Sequence, residues 1–311
     1  MQPKICVNIG KLRLKNPVLV ASGTFGYAEE FKSLVNFKKL GAIVTKTITL
    51  KPRRGNLPPR TCETEQGMLN SIGLENPGLA VFIKEKLPVL KKTNVPIIVS
   101  IASESGSQEF IELARRLDKI EKIAAIELNI SCPNIKSSKL QAPSSKLIAQ
   151  DPKATYELVK SVRRITNKVL ITKLSPNVAD ITEIAKAAEC AGSDALSLIN
   201  TVTGMSIDVK ARKPKIATVT AGLSGPAIRP IAVRMVWEVY QRVKIPIIGM
   251  GGIIDTPSAL EFFIAGATAV ATGTANFINP RISVEIIEGI KTYLLENNIC
   301  NIKELIGSMK I

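Results

Sequence analysis

Eight short runs of apolar, largely β-branched residues recur along the 311-residue chain, at 18–22, 42–46, 96–101, 125–129, 169–174, 195–200, 246–249 and 269–272. Between them lie stretches such as EFIELARRLDKIEKI, ATYELVKSVRRIT, ADITEIAKAAECAG, AIRPIAVRMVWEVYQRV and TPSALEFFIAG, with apolar residues three and four apart, the period of an amphipathic helix. A strand that is apolar at nearly every position must be covered on both faces, as parallel strands covered by crossover helices are. Eight such strands alternating with helices predict a single (β/α)8 TIM barrel, one domain over residues 1–311, rather than an open doubly wound sheet. The opening KICVNIGKLRLKNP alternates around Asn8-Ile9-Gly10 and predicts an N-terminal β-hairpin under the barrel. Residues 47–88 and 200–230 follow strands two and six, carry Pro and Gly punctuation, and are too long for simple loops. Both are therefore expected as insertions on the face of the barrel where the strands end.

Composition removes several kinds of chemistry. There is no histidine, so Ser-His-Asp and Cys-His catalysis and His-ligated metals are excluded, and a base working near neutral pH must be Cys, Lys, Glu or Asp. The five cysteines (Cys6, Cys62, Cys132, Cys190 and Cys300) are scattered and never in CxxC spacing, which fits a reducing compartment and predicts no metal or iron–sulfur site. The formal net charge of +16 raises nucleic acid as a partner, but the basic residues are spread through KNFKKLG, KEKLPVLKK, DKIEKI and KSVRRITNK, and aromatics are only 4%. They read as solvated helix faces, with no nucleic-acid partner expected. No apolar run has signal-peptide character or the length of a membrane span, so a cytoplasmic protein without membrane contact is expected.

Chemistry in a barrel gathers at the carboxyl ends of the strands. Here those ends carry Lys46-Thr47, Asn129-Ile130-Ser131-Cys132, Lys173, Asn200-Thr201, Gly249-Met250-Gly251-Gly252 and Gly273-Thr274. Two lysines, two asparagines and a cysteine converging on one mouth would be costly without a ligand to satisfy them, and they suit an anionic, amide-rich one. The glycine pairs after strands seven and eight leave backbone N–H groups open for a phosphate. With neither GxGxxG nor GxxxxGK[ST] present, FMN fits better than NAD. Cys132 sits in NISCPN, where Pro133 ends the strand and leaves the thiol in a loop; Lys46 or Lys173 nearby would stabilise a thiolate and make it a usable base. Cys6, Cys190 and Cys300 are expected to be buried and inert, and Cys62 to lie in a loop.

The segments ASGTFG, KTITLKPRRGN, GMLNSIGLENPG, ELNISCPN, KLSPN, INTVTG, GLSGPAI, IPIIGMGG and GTANF together resemble the class 1 dihydroorotate dehydrogenases, from about residue 5 to residue 285. GLSGPAI and the INT tripeptide look closest to the class 1B catalytic subunits. The resemblance implies that Ser22, Lys46, Thr47, Asn129, Lys173, Ile199, Gly225, Gly251, Gly252, Gly273 and Thr274 contact FMN. It further implies that Lys46, Asn70, Ser71, Ile72, Gly73, Leu74, Asn129, Asn200 and Thr201 hold the pyrimidine, and that Cys132 is the catalytic base. Dihydroorotate is a carboxylate on a cyclic imide, so an ammonium and several side-chain amides are apt partners. The implied reaction is oxidation of (S)-dihydroorotate to orotate in pyrimidine biosynthesis, with Ser131 beside the thiolate and Lys173 at the flavin's N1–O2 edge. Electrons would pass to NAD through a separate iron–sulfur/FAD subunit, in a homodimer or heterotetramer. The alternatives are a self-sufficient class 1A enzyme using fumarate, a tRNA dihydrouridine synthase, which would need an added RNA-binding helical domain, and a degenerate barrel kept as a scaffold. Two departures from the family stand out: residues 133–150 hold no glycine, and Ser100 stands where many relatives carry an asparagine reaching toward the flavin.

Overall fold

The computed structural model describes residues 2–103, 106–130 and 148–310. Eight parallel strands close into a barrel: β1 (Val18–Val20), β2 (Ala42–Val44), β3 (Ile97–Ile101), β4 (Ile123–Asn129), β5 (Val169–Lys173), β6 (Ala195–Leu198), β7 (Ile247–Gly249) and β8 (Ala269–Thr272). Neighbours in sequence are neighbours in space, and the ring closes through β8 and β1, with Val270 in register with Val18. All eight expected strands are present. Strand two ends at Val44 and strand six at Leu198, so Thr45, Lys46, Ile199 and Asn200 extend beyond the ladder.

The helices follow the predicted faces. In α2 (Ser107–Asp118) the buried residues Phe110, Leu113, Ala114 and Leu117 fall on one stripe. In α3 (Pro152–Arg163) Asp151 caps the first turn, accepting from the Lys153 and Ala154 N–H groups, and Pro152 occupies a position where no N–H is needed. Helices α4 (Ile181–Cys190), α5 (Arg229–Tyr240), α6 (Thr256–Ala265) and α7 (Ile282–Glu296) complete the outer layer. Between β2 and β3 the helical segment α1 covers residues 78–91 and includes a π turn over Phe82–Lys86. That turn precedes Pro88, whose missing N–H and bulky ring do not fit an unbroken α-helical ladder. The insertion after strand two therefore stops at residue 77, short of the expected 88.

The first crossover departs further. Between β1 and β2 the described chain forms two short 3-10 turns, Glu29–Phe31 and Phe37–Lys39. An aromatic cluster fills the space a helix would cover: Phe25 stacks on Phe31 at 4.1 Å and meets Phe37 edge-on at 5.8 Å. The opening hairpin pairs Val7–Ile9 with Leu12–Leu14. Its turn lies at the amino ends of β5 and β6, where Lys11 donates to the Asn167 carbonyl and Gly10 packs on Asp194.

The two insertions form one structure. Strands Val202–Gly204, Ala221–Ser224, Gly67–Asn70 and Thr61–Thr64 make a four-stranded antiparallel sheet in that order, joining the insertion after β2 to the one after β6. Leu69, Ile216 and Ala221 form a small apolar core of their own beneath it, with Cys62 and Leu223 packed alongside. Cys62 is thus a strand residue, not a loop residue. Of the cysteines expected to be buried, Cys190 and Cys300 are exposed and Cys6 is half-buried; each lies near an element end that the apolar stripe does not cover.

The main core is continuous from the hairpin through the barrel to α7. On α6, fully buried Phe262 lies over Gly249 of β7, where an added Cβ would meet its ring at 2.5 Å. Phe262→Ala is expected to lower stability by about 3–5 kcal/mol, read as a fall in the urea midpoint, because the barrel strands beneath cannot collapse into the space.

Candidate active site

A chain of hydroxyl and amide groups crosses the floor of the mouth. Thr47, 4% exposed, is its centre: its Oγ1 lies 3.0 Å from Ser22 Oγ, 3.0 Å from Ser100 Oγ, and accepts from Asn129 Nδ2 at 3.0 Å. Asn129 Oδ1 in turn accepts from Asn200 Nδ2 at 3.3 Å, and Asn200 Oδ1 from the Thr201 N–H at 2.8 Å. These contacts tie the ends of β1, β2, β3, β4 and β6 together. The structure thus brings Ser22, Thr47, Asn129, Asn200 and Thr201 into one cluster. It adds Ser100, fully buried, whose N–H donates to Thr45 Oγ1. Ser100 supports Thr47 from beneath, a role visible in sequence only as a polar residue inside the apolar strand IIVSI.

Lys173 ends β5 in register with Asn129 and with Ser197. It is 5% exposed, and among the described residues its ammonium has no hydrogen-bond or ion-pair partner. A buried cation without a protein partner is expensive and points to an anionic or electron-rich ligand edge. Ile199, 3% exposed, follows β6 and packs near Gly251.

Lys46 opens on a cavity of about 350 Å3 that it shares with Tyr27, Arg53, Glu75, Asn76 and Pro77. The Tyr27 hydroxyl is buried without a partner, and that burial, with the Glu30 charge adding, holds its pKa far above the ordinary phenol value. The run Asn70–Leu74 is held by neighbouring chain. Arg53 Nε donates to the Gly73 carbonyl and Asn76 Nδ2 to the Leu74 carbonyl, with Gly73 and Leu74 both at positive φ (73° and 55°). Among the described residues the N–H groups of Ile72, Gly73 and Leu74 donate to no protein acceptor, a backbone arrangement suited to a carboxylate. Ser71 differs: its N–H donates to Arg60, and its hydroxyl accepts from Asn56 and Thr218. These contacts hold the insertion together. Asn70 donates to Gly222 across the sheet at 3.3 Å.

Glycines converge where a phosphate is expected. Gly252 has φ 75°, and a Cβ there would meet the Gly225 carbonyl at 2.9 Å, so only glycine lets these loops touch. At Gly273 an added Cβ would meet nothing nearer than Ala21 at 4.0 Å, which leaves its backbone open to the mouth. Among the described residues the N–H groups of Gly251, Gly252, Gly273 and Thr274 have no protein acceptor, while Thr274 Oγ1 donates to Ser224. An unpartnered lysine for the isoalloxazine edge, a hydroxyl–amide floor and open N–H groups for a phosphate fit FMN.

Sequence reasoning also missed Asn177, in KLSPN. Its side chain donates to the Thr201 carbonyl at 3.1 Å and accepts from the Thr203 N–H at 2.8 Å, fixing the start of the second insertion. Ser131 and Cys132 lie outside the described residues.

The family profile described as dihydroorotate dehydrogenase matches residues 4–294. The relative from Geotalea uraniireducens, named dihydroorotate dehydrogenase B (NAD(+)), catalytic subunit, is 51% identical over 99% of both chains. Proteins of the same name from Geobacter metallireducens and Caldicellulosiruptor bescii are each 52% identical, covering 100% and 98% of this chain and 99% of their own. With the closed barrel and the convergent mouth, this end-to-end similarity shows that the chain belongs to the dihydroorotate dehydrogenase family, in the branch of the B-type catalytic subunits.

Proposed function

We propose that the chain, acting as one FMN-binding barrel domain in the cytoplasm, oxidises (S)-dihydroorotate to orotate in pyrimidine biosynthesis as the catalytic subunit of an NAD-linked complex. The observation that carries the reading is the buried Lys173 ammonium, without a protein partner, beside the Thr47–Asn129–Asn200 floor. Bound FMN supplies the hydride acceptor for C6 of the substrate. Lys46 pairs with the substrate carboxylate, and the N–H groups of Ile72, Gly73 and Leu74 add fixed donors to it. The amides of Asn70, Asn129 and Asn200 offer both donors and acceptors to the imide ring, which fixes its orientation. Cys132, as thiolate, removes the C5 proton. Lys173 stabilises negative charge at the flavin's pyrimidine edge, and Gly225, Gly251, Gly252, Gly273 and Thr274 hold the phosphate.

The relatives' name includes NAD(+) and the word subunit, which favours an iron–sulfur/FAD partner, within a homodimer or heterotetramer, over fumarate. The test is turnover of dihydroorotate by the purified chain with fumarate, with NAD alone, and with NAD plus the partner protein. NAD reduction only when the partner is present is the expected result. Fumarate-supported turnover by the chain alone would overturn the assignment of acceptor.

A further inference from the structure

The eight barrel strands contain only two ionisable side chains, and they are of opposite sign: Glu127 on β4 and Lys173 on β5. Both are almost fully buried, at 1% and 5% exposure. The two strands are adjacent; Glu127 is in register with Ile171, and Asn129 with Lys173. Two-residue alternation turns all four of these side chains to one side of the barrel wall. That side is the interior, because Ser197 on β6 donates its hydroxyl to Glu127 Oε2 at 2.9 Å, reaching past β5, and Ser197 is itself the register partner of Lys173.

Among the described residues Glu127 Oε1 has no hydrogen-bond partner. Among the described residues neither Glu127 nor Lys173 takes part in an ion pair. A hydroxyl supplies a carboxylate with one bond but no counter-charge, and a buried lone carboxylate is costly. The other charge in the same weakly screened interior compensates it without direct contact, since the attraction falls only with the first power of distance.

We propose that Glu127 is the buried counter-charge of Lys173: a positioning residue that steadies the lysine at the cofactor edge and offsets part of the positive potential it presents there. This rests on the reading that Lys173 faces the pyrimidine edge of bound FMN. A lone ammonium would favour negative charge on that edge strongly. A carboxylate one layer deeper tempers it, which suits a subunit that must hand its electrons on.

Sulfite tests the inference without substrate, because its reversible addition to the flavin's N5 places negative charge on the N1–O2 edge. With the FMN-loaded full chain at pH 6, Lys173→Met is expected to weaken sulfite binding roughly tenfold, and Glu127→Gln to tighten it roughly threefold. If Lys173→Met has no effect, the flavin-edge reading fails. If Lys173→Met weakens binding while Glu127→Gln leaves it unchanged or weaker, the counter-charge inference alone fails. Thermal unfolding of the same proteins gives a second readout. The double variant Glu127→Gln with Lys173→Met leaves no buried charge unpaired, so its loss of midpoint temperature is expected to be clearly smaller than the sum of the single losses. Additive losses would overturn the proposal. Should Glu127→Gln alone not fold, the double variant is still expected to fold, and its failure would also overturn it.

Discussion

Cys132→Ser is expected to lower dihydroorotate oxidation at neutral pH by tenfold or more while FMN stays bound, with part of the loss recovered at high pH. The serine hydroxyl is a far weaker acid than a thiol, so little of the basic form exists near neutrality and more appears as pH rises. Position, not type, singles out Cys132. Cys190 and Cys300 are exposed, Cys6 is near the hairpin, and Cys62 packs on the insertion core, whereas Cys132 follows the strand that ends in Asn129. Rates across the pH range, with flavin content measured in parallel, check it. Near-full activity of the FMN-loaded variant at neutral pH would place the base elsewhere.

Thr47→Val is expected to weaken FMN binding by roughly tenfold and to lower stability by about 2–3 kcal/mol, although valine has nearly the same shape. The Thr47 hydroxyl is shared by Ser22, Ser100 and Asn129, each at 3.0 Å. Its removal takes one bond from Asn129 and leaves the buried Ser100 hydroxyl short of a partner, and leaving a polar group unsatisfied costs more than the lost bond contributes. Flavin titration and thermal unfolding of the variant measure both effects. Wild-type values in both would mean that the Thr47 hydroxyl does not organise the floor of the mouth.

The barrel was legible because its signal is local and repeated: each strand is apolar throughout, and each helix carries a one-sided stripe such as Phe110, Leu113, Ala114 and Leu117. The four-stranded sheet over the mouth was not. Its pairing of Gly222 with Asn70 joins residues about 150 positions apart, and such register leaves no periodic trace in either segment. The first crossover was equally opaque, because packing of Phe25 on Phe31 and Phe37 replaces a helix there. At the site, Lys46, Thr47, Asn129, Lys173 and Asn200 were found by position, since all lie at or just beyond the ends of barrel strands, whereas Ser22 came only from the family resemblance. The supporting contacts were not legible for a different reason: Ser100 stood out only as a departure from the family's asparagine, and Glu127 not at all. Ser100 and Glu127 interrupt apolar strands, a signal available in IIVSI and AIELN, but what a buried polar group bonds to depends on strands that meet only in three dimensions.

Anaerobic addition of one equivalent of dihydroorotate to the purified FMN-loaded chain, with no electron acceptor present, tests the central claim most directly. Bleaching of the flavin absorbance with formation of an equal amount of orotate is the expected result. A chain that holds FMN yet shows neither bleaching nor orotate would contradict it.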